Sequence, residues 1–163
     1  MLFAREVTGP LGSLLKQFDA AVAKNKDADM RSFAVFLTDD ADATEAKLKK
    51  LAEKEKISEN VPLTIVEDIA GPEPYKINKD ADVTVILYTK GKVVSNFAFK
   101  AGELNEKDVK NIVAALPRIL PTEEELKEEA ERQKKAAESR KQLEEIKKKL
   151  EAAKDKEKEK DKK

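Results

Sequence analysis

The residue types that carry out nucleophilic, acid–base and metal chemistry are sharply restricted in this 163-residue chain, which contains no histidine and no cysteine. Without cysteine there is no thiolate nucleophile, no disulfide and no thiolate metal ligand. Without histidine, no side chain has an ordinary proton affinity near neutral pH. What remains are carboxylates and hydroxyls. Asp40 and Asp42 stand two residues apart behind the apolar run Phe33–Leu37, with Thr44 close after them. Asp42 and Glu45 also have the spacing of a capping box, in which two side chains satisfy the free amides at a helix start, and capping is the expected role of Asp42. A second candidate is Thr8-Gly9-Pro10, where a helix is expected to open. The first amides of a helix have no partner within it and can hold an anion. The simpler role is again a capped start, with Thr8 or Gly9 at the cap and Pro10 in the first turn, where its missing N–H costs nothing. Tyr75 and Tyr88 are expected to be half-buried packing residues. The five glycines form no phosphate-binding pattern, which argues against a nucleotide site.

The elements that must position these residues follow from hydrophobic spacing. Forty per cent of the chain is charged, well above ordinary globular composition, and the excess is concentrated in residues 122–163. A packed core therefore belongs to residues 1–121, the expected first domain, with 122–163 as a charged helical tail. In the first domain, residues 2–6 read as a strand. A helix follows from Pro10, with Leu11, Leu14, Leu15, Phe18 and Val22 on one stripe. Residues 32–38 read as a buried strand, and Ala43–Lys56 as a second helix with Leu48, Leu51 and Ala52 on its apolar side. Val61–Val66 reads as a short strand, and the Gly71-Pro72-Glu73-Pro74 stretch as loop. Residues 83–89 and 93–99 read as a hairpin turned at Lys90-Gly91-Lys92, and Asn105–Leu116 as a last helix ended by Pro117 and Pro121. Strands alternating with helices imply a parallel sheet covered on both faces, and the final hairpin adds antiparallel strands.

This order resembles the thioredoxin fold over residues 1–120, and its peroxiredoxin and TlpA-like branch in particular. Glu6-Val7-Thr8-Gly9-Pro10-Leu11 is similar to the Cys-Gly-Pro-Cys loop of that family, with Thr8 and Leu11 in the cysteine positions. Val61–Asp68 looks like the extra strand of the TlpA-like branch, and Tyr75-Lys76-Ile77 like its Tyr-Gly-Val segment. Val83-Thr84 falls where the family has a cis-proline followed by threonine. The resemblance implies an α/β, three-layer sandwich with a mixed sheet, and a binding groove around Thr8, Gly9, Pro10, Leu11, Val83 and Thr84. It also marks what is missing. A threonine hydroxyl does not ionise at neutral pH and has no histidine to act as its base. Leu11 cannot resolve a mixed disulfide, and Val83 in place of proline favours a trans bond. Redox inactivity is the expectation, with no cofactor. Asp40-Ala41-Asp42-Ala43-Thr44 separately resembles the Asp-x-Asp-x-Thr motif of haloacid-dehalogenase-type phosphatases, which implies a carboxylate nucleophile, a carboxylic general acid and magnesium. In this chain Thr38-Asp39 intervene after the strand and Glu45 replaces an apolar residue, so the capping role is preferred.

The tail opens on Thr122-Glu123-Glu124-Glu125, another capping-box pattern, and is dominated by strong helix formers to about residue 155. Its apolar spacing changes phase between the stretches 126–137 and 143–153. A solvated single helix is therefore expected, with Leu143, Ile146 and Leu150 as the face for self-association or a partner, and with disorder from Asp155 to Lys163. Acidic and basic residues balance at 33 each, and no basic segment that would follow a nucleic-acid backbone is visible. No apolar run approaches the roughly 20 residues that span a bilayer. No signal peptide is seen, and because Met1-Leu2-Phe3-Ala4 already reads as strand, the compartment is left open between cytoplasmic and exported. The expected function is a noncatalytic module binding a protein or peptide. The alternatives are a divergent oxidoreductase whose cysteines lie outside this chain, and a structural protein whose tail is the functional part.

Overall fold

A computed structural model describes residues 1–160, with side chains described through Lys147 apart from Glu129 and Glu145. The chain divides into two compact units, Met1–Leu120 and Pro121–Lys163. In the first, the strands are β1 (Leu2–Ala4), β2 (Ala34–Leu37), β3 (Leu63–Val66), β4 (Val83–Thr89) and β5 (Lys92–Phe99). The helices are α1 (Gly9–Lys24), α2 (Ala41–Glu55) and α3 (Glu106–Ala115). The five strands form one mixed sheet in the order β3-β2-β1-β4-β5. β1, β2 and β3 run parallel, and β4 is antiparallel to both of its neighbours.

The alternation of side chains across the pleat decides where the core lies. Leu2 and Ala4 of β1, Ala34 and Phe36 of β2, and Val83, Val85 and Leu87 of β4 turn to one face. There they meet Leu11, Leu14, Leu15 and Phe18 of α1, Leu48 and Leu51 of α2, and Val109 and Ile112 of α3 in a single core. Phe3, Val35, Leu37 and Ile86 turn to the other face and form a smaller cluster. Strands apolar on both faces read in sequence as unbroken hydrophobic runs, which is why β2 and β4 are the plainest strands of the chain.

All three helices share one face of the sheet, so the expected three-layer sandwich is corrected to a helical layer, a sheet and a loop cover. The reason is topological. The chain steps from β1 to β2 to β3 in one direction across the sheet, and right-handed parallel crossovers then place α1 and α2 on the same side. The opposite face is covered by the long connection between β3 and β4. Ile77 of that connection packs on the smaller cluster, and the Tyr75 ring lies 5.0 Å from the Phe3 ring at 52°. Gly71 is required at the bend: its φ is +76°, and a Cβ there would come within 2.8 Å of Ile77 Cδ1 and 3.0 Å of Leu37 Cδ1.

Helix ends account for several element boundaries. Asp40, not Asp42, caps α2: Ala43 N–H donates to Asp40 Oδ1 at 2.9 Å, and Asp42 lies in the first turn. The loop holds Asp40 in place, since its own N–H donates to Thr38 Oγ1 at 3.0 Å. Asn105 and Asp108 form a capping box on α3. Pro117 ends α3 as an α-helix but continues as a 3₁₀ turn over Leu116–Ile119, because proline fits the first positions of a new turn. The β4–β5 hairpin turns through Lys90 and Gly91, at φ 51° and 74°, the pair of left-handed residues that matches strand twist.

The second unit is helix α4 (Glu123–Lys160). Its start carries the reciprocal capping pattern: Glu125 N–H donates to Thr122 Oγ1 at 3.2 Å, and Thr122 N–H donates to Glu125 Oε2 at 2.9 Å. The backbone is helical through Lys160, past the end expected near Asp155. Every described side chain from Leu126 to Lys147 is exposed.

Candidate functional site

The six residues expected to form a groove do not lie on one surface. Gly9 is exposed and Thr8 and Pro10 are half-buried, whereas Leu11, Val83 and Thr84 are 0%, 1% and 5% exposed. Leu11 and Val83 are members of the main core. Thr84 lies between Val83 and Val85 and so points to the opposite face, where it pairs in register with Phe3. Its Oγ1 is buried with no hydrogen-bond partner among the described residues. The part of the expected site that reaches solvent is therefore Thr8-Gly9-Pro10 alone.

What faces that segment was not visible from the motif. Thr8, Gly9 and Val7 line a cavity of about 280 Å³ whose other wall is α2, with Lys47, Lys50, Leu51, Lys54 and Glu55. α1 and α2 are brought together at Gly12, where a Cβ would come within 2.9 Å of Leu51 Cδ1. Two local features leave the dipole at the start of α1 uncompensated. Thr8 is the N-cap by position but its side chain makes no capping hydrogen bond, and the first turn carries no acidic residue. Pro10 has no N–H, and the amides of Gly9 and Leu11 are the orphan donors of the turn. Among the lysines across the cavity, Lys54 lies 3.8 Å from Glu55, while Lys47 and Lys50 make no ion pair among the described residues. The one sequence signal for this wall is the spacing 47, 50, 54, which puts the three lysines on one side of a helix.

A polar cluster lies under the loop cover. The Arg5 guanidinium donates from Nε to the Ile69 carbonyl at 3.1 Å, and from Nη1 to the carbonyls of Asn78 and Ala81. It thereby ties both ends of the covering connection to the end of β1. Asp82, 8% exposed, has its carboxyl proton affinity raised, first by burial and then by the negative charge of Glu6, against the opposing pull of Arg5. Neither Arg5 nor Asp82 stands out in the sequence, because each is a single charged residue beside an apolar strand.

The Asp40–Asp42 pair is accounted for structurally at Asp40, whose carboxylate is engaged as the α2 cap. Among the described residues no group of three or more acidic, cysteine or histidine side chains is placed to hold a metal ion. On α4, Leu143 and Ile146 are 57% and 55% exposed, and the Leu150 side chain lies outside the described residues. No helix among the described residues is long and apolar enough to cross a membrane. No protein-family model, curated protein or solved structure matches the chain.

Proposed function

We propose that the first unit is a redox-inactive module of thioredoxin-like, peroxiredoxin- and TlpA-related descent that binds an acidic segment of a protein partner at the start of α1. The connectivity supports the descent: β1-α1-β2, an added α2 and edge strand β3, then the β4–β5 hairpin and α3, with β1 between β2 and β4. The residue types support the loss of redox chemistry, since the loop after β1 offers a threonine hydroxyl and a buried leucine where the family has thiols. The observation that carries the binding reading is the cavity in which two lysines without acidic partners face an uncapped helix start. Lysine ammonium groups and orphan amides both favour a carboxylate.

The test is affinity capture with the full chain, with a Lys47→Glu, Lys50→Glu double variant and with Thr84→Val, followed by identification of the bound proteins and direct binding of their acidic segments. The expected result is a partner held by the wild type and by Thr84→Val, and lost on charge reversal. A captured partner indifferent to the reversal sinks the reading. A second reading, with α4 as the functional arm, is favoured by the exposed Leu143 and Ile146 three residues apart. It requires that Leu143→Lys with Ile146→Lys abolish assembly or capture.

A further inference from the structure

Outside the α1 cavity, the outer edge of the sheet at β3 coincides with an apolar groove. β3 is one of the two terminal strands, β5 being the other. The Pro62 carbonyl accepts from Ala34 N–H at 2.9 Å and the Val66 carbonyl from Thr38 N–H at 3.1 Å. In a parallel ladder every second residue bonds the same neighbour. Residues 62, 64 and 66 therefore face β2, and Leu63 and Ile65 direct their N–H and C=O groups outward. The side chains of Leu63 and Ile65 turn to the helical face. There, with Leu48 and Ala52 of α2 and with Ile57 and Val61, they line a groove of about 430 Å³. Free strand-pairing groups and a slot for alternate side chains thus lie along the same line.

We propose that this edge docks an extended peptide from a partner protein, which adds to the sheet as a further strand and lays alternate apolar side chains into the groove between α2 and β3. Strand addition draws its affinity from main-chain hydrogen bonds and its selectivity from the pockets for alternate residues. Charge sets the flanks of that peptide. Glu45 and Lys49 at the rim pair with each other at 2.7 Å, which leaves the exposed Glu59 in the groove lining and the exposed Glu67 and Asp68 after the strand. The complementary occupant is apolar in the middle and basic at its ends. A second copy fits poorly. Two outward residues per chain fall far short of the roughly 800 Å² per partner that a stable interface buries. Antiparallel pairing of two β3 edges would also bring their acidic ends together.

The probe is the acetylated and amidated peptide Lys-Thr-Val-Thr-Val-Thr-Lys, titrated into the ¹⁵N-labelled full chain. The expected result is saturable movement of the Leu63 and Ile65 amide signals together with those of the groove residues. Binding should be lost for at least one of two peptides N-methylated on alternate residues, and should weaken severalfold when both lysines are replaced by glutamate. Ala52→Glu, which keeps a helix former on α2 but places a charge in the groove, should lose binding while its spectrum stays dispersed. Three outcomes overturn the proposal: no saturable change at Leu63 and Ile65, changes gathered at β5 instead, or broadening of the β3 amides with protein concentration alone, which would assign the edge to a second copy. Charge reversal at Lys47 and Lys50 should leave this titration unchanged, so the two sites stand or fall separately.

Discussion

Thr84 and Asp82 sit two residues apart at the loop-covered side of the sheet, one with a buried hydroxyl that finds no partner among the described residues and the other with a carboxyl whose charged form is disfavoured by burial. The Thr84 hydroxyl has no hydrogen-bond partner among the described residues, and a buried unsatisfied group of this kind costs about 1–3 kcal/mol. Thr84→Val, which removes the hydroxyl and keeps the shape, should raise the unfolding free energy by about 1 kcal/mol in a denaturant titration. A loss instead would show that the hydroxyl has a partner in solution. For Asp82 the sign of the pH dependence follows from the raised proton affinity. An acid whose folded value exceeds its ordinary value of 3.8 binds its proton more tightly in the native state. Its contribution to stability is therefore complete below that value and is lost as pH rises through the raised one. The difference in unfolding free energy between wild type and Asp82→Asn should thus tilt against the wild type as pH climbs from about 3.8 through the raised value. A difference that does not vary with pH would remove the buried-acid account. Neither residue could be singled out in the sequence. Burial of Asp82 depends on the connection that Arg5 ties down, and a contact between residues more than sixty positions apart leaves no local pattern.

At the scale of elements, what was legible was whatever periodicity encodes. The α1 stripe Leu11, Leu14, Leu15, Phe18 and Val22 is buried as its spacing requires, and the hairpin turns at Lys90-Gly91 because only left-handed residues close it. The misses have physical causes. The capping box read at Asp42 and Glu45 is a pattern of side chains. Which carboxylate reaches the free amide is decided by the preceding loop, where Thr38 holds Asp40 over Ala43. Asp40→Ala should accordingly cost about 1 kcal/mol of stability and Asp42→Ala much less, a contrast that paired thermal unfolding curves resolve. Equal losses would return the cap to Asp42. The single helical layer was hidden because strand order is not written in hydrophobicity. Once β3-β2-β1 is known to run in one direction, the placement of α1 and α2 on one face follows from handedness alone. The site was half legible: Gly9 is exposed at the helix start expected after the first strand, but its lysine wall comes from a helix more than thirty residues later.

For the molecule as a whole, the absence of histidine and cysteine and the balance of 33 acidic against 33 basic residues act together. Carboxylates ordinarily titrate near pH 4 and lysines near pH 10, so between those limits few groups other than the α-amino group are left to change the charge. Net charge should stay close to zero across a broad plateau, where a histidine-bearing protein would slope. Electrophoretic mobility measured from about pH 6 to about pH 9 should therefore be nearly flat. The same plateau separates the two variables that act on the proposed α1 cavity. With no histidine in the chain, affinity for an acidic segment should barely respond to pH over this range. Salt, which screens charges on a partly open surface with a Debye length of about 10 Å at 0.1 M, should weaken it progressively. Binding that follows pH but ignores salt would place the interaction elsewhere on the molecule, on a surface whose partner supplies the titrating group.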